Sequence, residues 1–127
     1  MTKSELVRRL ACALPEVEDR STVESLHFHV RGKQFAWSWQ EHTNPNQARR
    51  PRIDVLAVRC APEAKESILA SDTDVFFIEE HYRDFPAVLV RLEKVSDADL
   101  RALLEAAWCC QAPRLLVRQW LQAQGRV

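Results

Sequence analysis

Residues 26–39 read Leu-His-Phe-His-Val-Arg-Gly-Lys-Gln-Phe-Ala-Trp-Ser-Trp and predict a β-hairpin. Apolar and polar residues alternate through residues 26–31, and the alternation resumes in residues 35–39, as is typical of strands. Gly32 lies between the two runs, where a short hairpin turn demands the positive φ that glycine adopts without strain. The stretch therefore predicts two antiparallel strands joined by a tight turn.

The rest of the chain predicts three more strands and four helices. Short apolar runs indicate the strands, and residues 53–58, with apolar side chains on both faces, predict an interior strand covered by helices. Together these segments predict an α+β fold: a single compact domain over residues 1–127, in which N- and C-terminal helices pack an antiparallel sheet of about five strands. The strands are expected at 26–31, 35–39, 53–58, 75–78 and 86–92, and the helices at 3–13, from Pro62 to about Ala70, after the cap residue Ser96, and beyond Pro113.

Composition excludes several classes of protein. The 127 residues are 46% apolar and 28% charged, with 18 basic and 18 acidic side chains, which argues against a disordered, histone-like or collagenous chain. The two glycines, Gly32 and Gly125, are too far apart to form a glycine-rich phosphate loop, so no nucleotide cofactor of that kind is expected. The sequence offers no apolar run of membrane-spanning length and no signal peptide, which predicts a cytoplasmic protein without a membrane partner. It leaves the oligomeric state open.

The cysteines indicate no cofactor site either. Cys12, Cys60, Cys109 and Cys110 form no C-x-x-C pair, and we expect reduced, mostly buried thiols. Cys12 and Cys60 in particular fall where buried packing residues are predicted.

Basic residues are concentrated in one segment of this neutral chain. Residues 31–59 hold six basic side chains against two acidic ones, a net charge of +4. Residues 41–52 are rich in proline, asparagine and arginine and predict an exposed loop. The segment could form a positive patch for phosphates, or its arginines could simply solvate a flexible loop. The candidate nucleic-acid contacts are Arg31, Lys33, Arg49, Arg50 and Arg52, assisted by His27 and His29.

The histidines and carboxylates are candidates for metal or acid–base sites. His27 and His29 share one face of a predicted strand, but a zinc site needs three or four ligands and no third is evident, so solvent-facing histidines are the favoured interpretation. Glu80 and His81 lack the second histidine of an H-E-x-x-H motif. We therefore predict no metal site and no catalytic constellation.

The aromatic residues have two interpretations. Phe35, Trp37 and Trp39 at period two predict one strand face, which either stacks exposed bases or is buried in the core; burial is the favoured interpretation. The connection over residues 79–85 is polar and aromatic, and His81, Tyr82 and Phe85 form the alternative candidate, a groove for a small ligand or protein partner.

Several short stretches together resemble the MmcQ/YjbR family of small bacterial proteins. They are Ala-Leu-Pro-Glu-Val-Glu-Asp (13–19), Phe-His-Val-Arg-Gly-Lys-Gln-Phe-Ala (28–36), Pro-Ala-Val-Leu-Val-Arg-Leu (86–92), and Leu-Leu-Glu-Ala-Ala-Trp (103–108) followed by Ala-Pro-Arg (112–114). The resemblance spans nearly the whole chain, although residues 41–52 are richer in proline and arginine than the family leads us to expect.

This resemblance implies a compact CyaY-like fold with a proposed double-wing DNA-binding arrangement, and it carries over no catalytic residues. The first hypothesis is therefore a non-enzymatic module that binds DNA weakly through the basic hairpin and loop. The alternative is a binding domain for a small ligand or protein partner, also without catalysis. An enzyme is the third and least supported interpretation.

Overall fold

The computed structural model describes residues 2–41 and 50–125, with residues 40, 41 and 50–53 described by their backbone alone. Four helices and a six-stranded sheet form one α+β domain, as predicted. The helices are α1 (Lys3–Cys12), α2 (Pro62–Ser71), α3 (Asp97–Gln111) and α4 (Arg114–Ala123), and a 3₁₀ turn covers Glu80–Tyr82. The strands are β1 (Val17–Asp19), β2 (His27–Val30), β3 (Lys33–Glu41), β4 (Arg50–Arg59), β5 (Phe76–Phe77) and β6 (Ala87–Arg91).

The strands lie in the order β1-β2-β3-β4-β6-β5, and every neighbouring pair is antiparallel. β1 is one strand more than the approximate five expected from the sequence. It pairs Val17 with Val30 and Asp19 with Phe28, which extends the sheet beyond β2. The other five strands lie where the apolar patterns predict them.

The β2–β3 hairpin closes through a two-residue turn. Val30 pairs with Lys33, and both central residues have positive φ, 50° at Arg31 and 79° at Gly32. Two successive residues in this region are the mark of a type I′ turn, whose twist matches that of the flanking strands. The predicted need for a glycine at position 32 is confirmed, and Arg31 shares the strained conformation.

A β-bulge in β3 separates aromatic residues that the sequence places on one face. Phe28 pairs with Ala36 while His29 pairs with Gln34, so Phe35 is an extra residue on β3. Phe35 therefore turns into the main core beside Phe28, with the two ring centroids 6.5 Å apart. The prediction that Phe35, Trp37 and Trp39 line one face is wrong, because the bulge shifts the alternation by one residue.

The two faces of the sheet are buried in different ways. All four helices contribute to the main core on one face, where Trp108, Phe28 and Leu104 are fully buried. On the opposite face, Val55, Ala57 and Leu89 form a smaller cluster against half-buried aromatic side chains. β4 is thus an interior strand as predicted, but helices cover only one of its faces in the described part of the chain. We call the other face the open face.

Part of the predicted loop over residues 41–52 belongs to the sheet instead. β3 continues to Glu41 and β4 begins at Arg50, with Glu41 paired to Arg50 and Trp39 to Arg52. Residues 42–49 lie outside the described residues. Proline is tolerated at position 51 because β6 pairs with β4 only from Val55 onward, which leaves β4 with a single neighbour there.

Local signals fix the helix ends. The Ser96 hydroxyl accepts a hydrogen bond from the Asp99 backbone N–H at 3.1 Å, so the predicted cap of α3 is confirmed. Pro62 lies in the first turn of α2, and α4 begins directly after Pro113. Among the described residues, no helix combines the length and apolar character needed to cross a membrane.

Candidate functional site

An open pocket on the open face brings together the residues of the predicted groove. Trp37 of β3 lies with His81, Tyr82 and Phe85 around a space of about 170 Å³. The three groove residues belong to the connection between β5 and β6, which folds over the sheet so that Tyr82 packs on the small cluster of Val55, Ala57 and Leu89. We call this space the aromatic pocket.

The rings of the pocket contact one another edge to face. The Trp37 and Phe85 centroids are 6.1 Å apart at an interplanar angle of 78°, and those of Tyr82 and Phe85 are 5.9 Å apart at 87°. The Trp37 indole Nε1–H donates a hydrogen bond to the Tyr82 hydroxyl oxygen at 3.2 Å. Since that oxygen accepts from Trp37, the Tyr82 O–H remains a possible donor to a bound molecule.

Lys65 of α2 anchors the connection that carries Tyr82 and Phe85. Its ammonium donates to the backbone carbonyl oxygens of Tyr82 and Phe85, and to that of Arg83 at 3.2 Å. Hydrogen bonds from a charged donor are stronger than neutral ones, so three such bonds fix the turn against the helix. The aromatic pocket thus has a preformed wall.

Two arginines lie over aromatic rings of the open face. The guanidinium carbon of Arg59 is 4.9 Å from the Phe85 centroid, and that of Arg91 is 4.1 Å from the Phe77 centroid. Both distances suit cation–π attraction. Phe77 also meets Trp39 edge to face at 5.6 Å, so the open face holds two neighbouring groups of aromatic side chains, each with its own cation.

The two histidines of β2 are half-buried on the open face rather than solvent-facing. The His27 ring is bonded at both nitrogens, with Nε2 2.7 Å from the Ser25 hydroxyl and Nδ1 2.9 Å from the Gln34 side-chain nitrogen. His29 Nδ1 is buried without a hydrogen-bond partner in the described part of the chain. Burial, ahead of the nearby Arg20 charge, lowers the pKa of His29 below its ordinary value. Both rings are more enclosed than the sequence indicates because β1 pairs alongside β2.

This burial predicts a pH dependence of stability. Because the folded-state pKa of His29 lies below that of the unfolded chain, the unfolded state takes up the proton first as the pH falls below about 6.5. We expect the free energy of unfolding to decrease from pH 7.5 toward pH 5, and the His29→Gln variant to lose part of that slope. Urea unfolding at a series of pH values measures it, with His81→Gln as the exposed control. An unchanged slope in His29→Gln would contradict the burial of this ring.

The basic residues of the candidate nucleic-acid interface do not converge. Arg31 and Lys33 lie at the hairpin turn, whereas Arg50 pairs with Glu41 at the far end of β3, roughly 25 Å away at about 3.3 Å per residue. Arg31 also forms an ion pair with Glu16, with Nη2 3.0 Å from a carboxylate oxygen. Arg52 lies near Arg50 on the same strand, and Arg49 is outside the described residues. The positive segment of the sequence is therefore divided between two ends of the sheet.

The cysteines are less buried than the sequence predicts. Cys60 is buried as predicted, but Cys12 and Cys110 are exposed and Cys109 is half-buried, so the prediction of mostly buried thiols is wrong. Cys12 lies at the end of α1, next to the buried Ala11 but on a different side of the helix. All four thiols are free. Among the side chains that the structure describes, no three histidine, cysteine or acidic groups cluster closely enough to hold a metal ion.

The chain matches a known family model. The YjbR family model matches residues 12–110, which include every strand of the sheet and nearly all of α3. The chain belongs to the YjbR family. The resemblance seen in the short motifs of the sequence is thereby confirmed, and the hairpin, the aromatic pocket and the Lys65 anchor all lie inside the matched region.

Relatives of this YjbR-family chain are found in mycobacteria. Proteins of Mycobacterium bovis and of two Mycobacterium tuberculosis strains, each described as uncharacterized, are 38% identical to it over 76 residues. The matched region covers 59% of this chain and 59% of each relative. The chain thus spans less than two thirds of the length of these relatives.

Sequence reasoning found only part of this site. The sequence groups His81, Tyr82 and Phe85 because all three lie within residues 81–85. The sequence predicts Trp37 on a strand face but does not reveal its partner, because the Trp37–Tyr82 contact joins residues 45 positions apart. No local pattern in the sequence marks Arg59 or Lys65 as part of this pocket.

Proposed function

We propose that this YjbR-family chain is a non-catalytic binding module whose binding site is the aromatic pocket. One observation carries the proposal: Trp37, Tyr82 and Phe85 converge from distant parts of the chain on the open face, with their rings half-buried or exposed. Concave sites lined by aromatic side chains and a few polar groups are typical of small-molecule binding. The Tyr82 hydroxyl and His81 supply the polar groups here.

The chemistry of the buried nucleophiles supports a role without catalysis. Burial raises the pKa of the Cys60 thiol, the opposite of what an activated cysteine needs. The Ser38 hydroxyl is fully buried and accepts a hydrogen bond from the Leu26 backbone N–H at 2.9 Å, so it is committed to the fold. We therefore assign the pocket to binding.

A second groove lies between α2 and α3 and is larger, about 330 Å³. Its lining is mostly aliphatic, with Phe76 as its one aromatic side chain and Asp99 as its one charged group. It lacks the edge-to-face aromatic rings and the adjacent cations of the aromatic pocket. We use it as the control site.

An NMR titration of the Trp37 indole N–H tests the proposal. Small aromatic molecules such as indole-3-acetate, indole-3-acetamide and tryptamine are added to ¹⁵N-labelled protein, and the Trp37 signal is assigned with the Trp37→Phe variant. We expect at least one of them to shift the Trp37 signal while that of the core residue Trp108 stays in place. Phe85→Ala should weaken binding about tenfold, since aromatic contacts contribute about 0.5 to 1.5 kcal/mol each beyond burial.

Two control variants locate the site. Leu115→Ala removes another exposed apolar side chain, 63% exposed on α4, and should leave binding unchanged. Ala102→Leu fills the groove between α2 and α3 and should also have no effect. If none of these molecules shifts the Trp37 signal, or if Ala102→Leu abolishes binding, the aromatic pocket is not the binding site.

We infer DNA binding through the basic hairpin as the second candidate function. Arg31 and Lys33 support it because they are exposed at the tip of the β2–β3 turn. Arg50 and Arg52 add basic residues on β4, beside the other end of β3. His27, with both ring nitrogens bonded, and the half-buried His29 lie between these ends and are less available than the sequence indicates. In this form of the hypothesis, the protein contacts DNA phosphates at two separated points. The sequence alone had suggested one continuous positive patch.

A further inference from the structure

We propose that the aromatic pocket binds a flat aromatic ring that carries an anionic group, and that Arg59 binds the anion. The inference rests on the proposed function, because it names the ligand class of the same site. Arg59 is half-buried on β4, and its guanidinium lies over Phe85, one wall of the pocket. Arg59 is not one of the four side chains that line the space, so a ring seated beside Trp37 and Phe85 reaches this cation through a substituent that extends past Phe85.

The Arg59 guanidinium has unused binding capacity. No carboxylate of the described residues forms an ion pair with it, and its ring contact with Phe85 uses none of its five N–H donors. A half-buried guanidinium without an anionic partner gains more from an incoming carboxylate or phosphate than a surface cation does, because less water screens the pair. Arg91 differs, since its Nη1 is 3.4 Å from the Asp74 carbonyl oxygen.

The local charge also argues against a cationic ligand. Three aromatic rings at right angles are the kind of cage that recognises quaternary ammonium groups. Here, however, Arg59 already lies over Phe85, and the Lys65 ammonium is held at the carbonyl oxygens of Tyr82 and Phe85. The connection carries three acidic side chains, and none of them lines the aromatic pocket: Glu79 is half-buried, Glu80 pairs with Arg83, and Asp84 lines a separate pocket together with Lys65. A third positive charge would be repelled.

Two sources supply this ligand chemistry, namely aromatic carboxylates and nucleotides. In the first, the ring carries a carboxylate on a short side chain. In the second, a base provides the ring and a phosphate the charge. Arginine accommodates both anions with the same planar set of donors.

A charge series measured by calorimetry tests the inference. Indole-3-acetate, indole-3-acetamide and tryptamine differ in charge but present the same ring, and uridine 5′-monophosphate against uridine forms the nucleotide pair. We expect at least one anion to bind about tenfold more tightly than its neutral analogue, and tryptamine to bind most weakly. Arg59→Gln should abolish the tenfold preference, Arg59→Lys should retain part of it, and Arg91→Gln, the matched cation at Phe77, should leave it unchanged.

The outcomes separate this inference from the proposed function. If no molecule of either series shifts the Trp37 signal, the proposed function itself fails. If the neutral analogues bind at Trp37 as tightly as the anions, or if Arg59→Gln keeps the preference, only the assignment of an anionic ligand is overturned. Should Arg59→Gln be unfolded at the assay temperature, the anion-to-neutral ratio of the wild-type protein and of Arg59→Lys decides the question. A preference confined to one pair identifies which source the site recognises.

Discussion

Replacing Trp108 by alanine is expected to destabilise the domain by about 3 to 5 kcal/mol and to lower its unfolding midpoint by roughly 10 to 20 °C. Trp108 is fully buried in α3, and its ring meets Trp120 of α4 at a centroid distance of 5.3 Å. Its indole N–H donates to the Pro15 carbonyl oxygen at 3.0 Å, across 93 residues of sequence. The variant therefore leaves a cavity and removes the bond that ties α3 to the turn before β1.

Urea unfolding followed by circular dichroism measures this loss of stability. Two further variants serve as comparisons. Trp108→Phe keeps much of the ring but leaves the Pro15 oxygen without its donor, so a smaller cost of about 1 to 3 kcal/mol is expected. If the alanine variant does not fold, the Trp108→Phe variant provides the measurement. Val23→Ala, at a side chain 97% exposed, should change the free energy of unfolding by less than about 0.5 kcal/mol. A cost below about 1 kcal/mol for Trp108→Ala would contradict the burial of this ring.

Elements with strong local signals could be predicted from the sequence, and β1 shows why others could not. α3 has a cap residue and a regular apolar face, and the β2–β3 hairpin has two alternating runs around a glycine, so both are specified locally. β1 contains only Val17, Glu18 and Asp19, too few residues for any period to be visible. It is a strand because β2 offers an unpaired edge, which is a property of the folded sheet.

The bulge at Phe35 limited the prediction in another way. An extra residue changes which side chains share a face, yet it leaves the sequence alternation of residues 35–39 intact. The alternation predicts that Phe35, Trp37 and Trp39 share one face of the sheet. The pairing of β3 with β2 instead places Phe35 on one face and the two tryptophans on the other. The consequence is functional, because the bulge is what directs Trp37 and Trp39 to the open face while Phe35 packs beneath the helices.

In the candidate site, the distance between two residues in the sequence does not predict whether they are close in the fold. Closeness in sequence suggested that Arg31, Lys33 and Arg50 act together, but an extended strand carries them apart. Distance in sequence hid the contacts of Trp37 with Tyr82 and of Arg59 with Phe85, which the antiparallel order of β3, β4 and β6 creates. Charge counted along the chain is therefore a poor guide to charge on this surface.

We expect the DNA affinity to fall about 150-fold between 50 and 200 mM salt if one duplex contacts both groups of basic residues. These groups are Arg31 and Lys33 at the hairpin tip, and Arg50 and Arg52 on β4 beside the far end of β3. Neutralising about four phosphates gives a slope of log K against log salt near −3.6, whereas one end alone, with about two contacts, gives roughly −1.8 and a fall of only about 12-fold. Fluorescence anisotropy with a labelled duplex measures the slope. The two values distinguish a footprint across the whole sheet from one at the hairpin tip.

Variants show which residues contribute to the slope of log K against log salt. Lys33→Ala should reduce its magnitude by about 0.9 without changing sequence preference, and Arg49→Ala with Arg50→Ala should remove most of the contribution of the far end, where Arg52 remains. Glu16→Gln releases Arg31 from its ion pair and should tighten binding, an effect opposite in sign to the loss of a cation. Phe85→Ala should leave DNA binding unchanged, because the aromatic pocket is a separate site. No binding at low salt would refute this second function, and full affinity in the double arginine variant would refute contacts at two separated points. Neither outcome would affect the aromatic pocket.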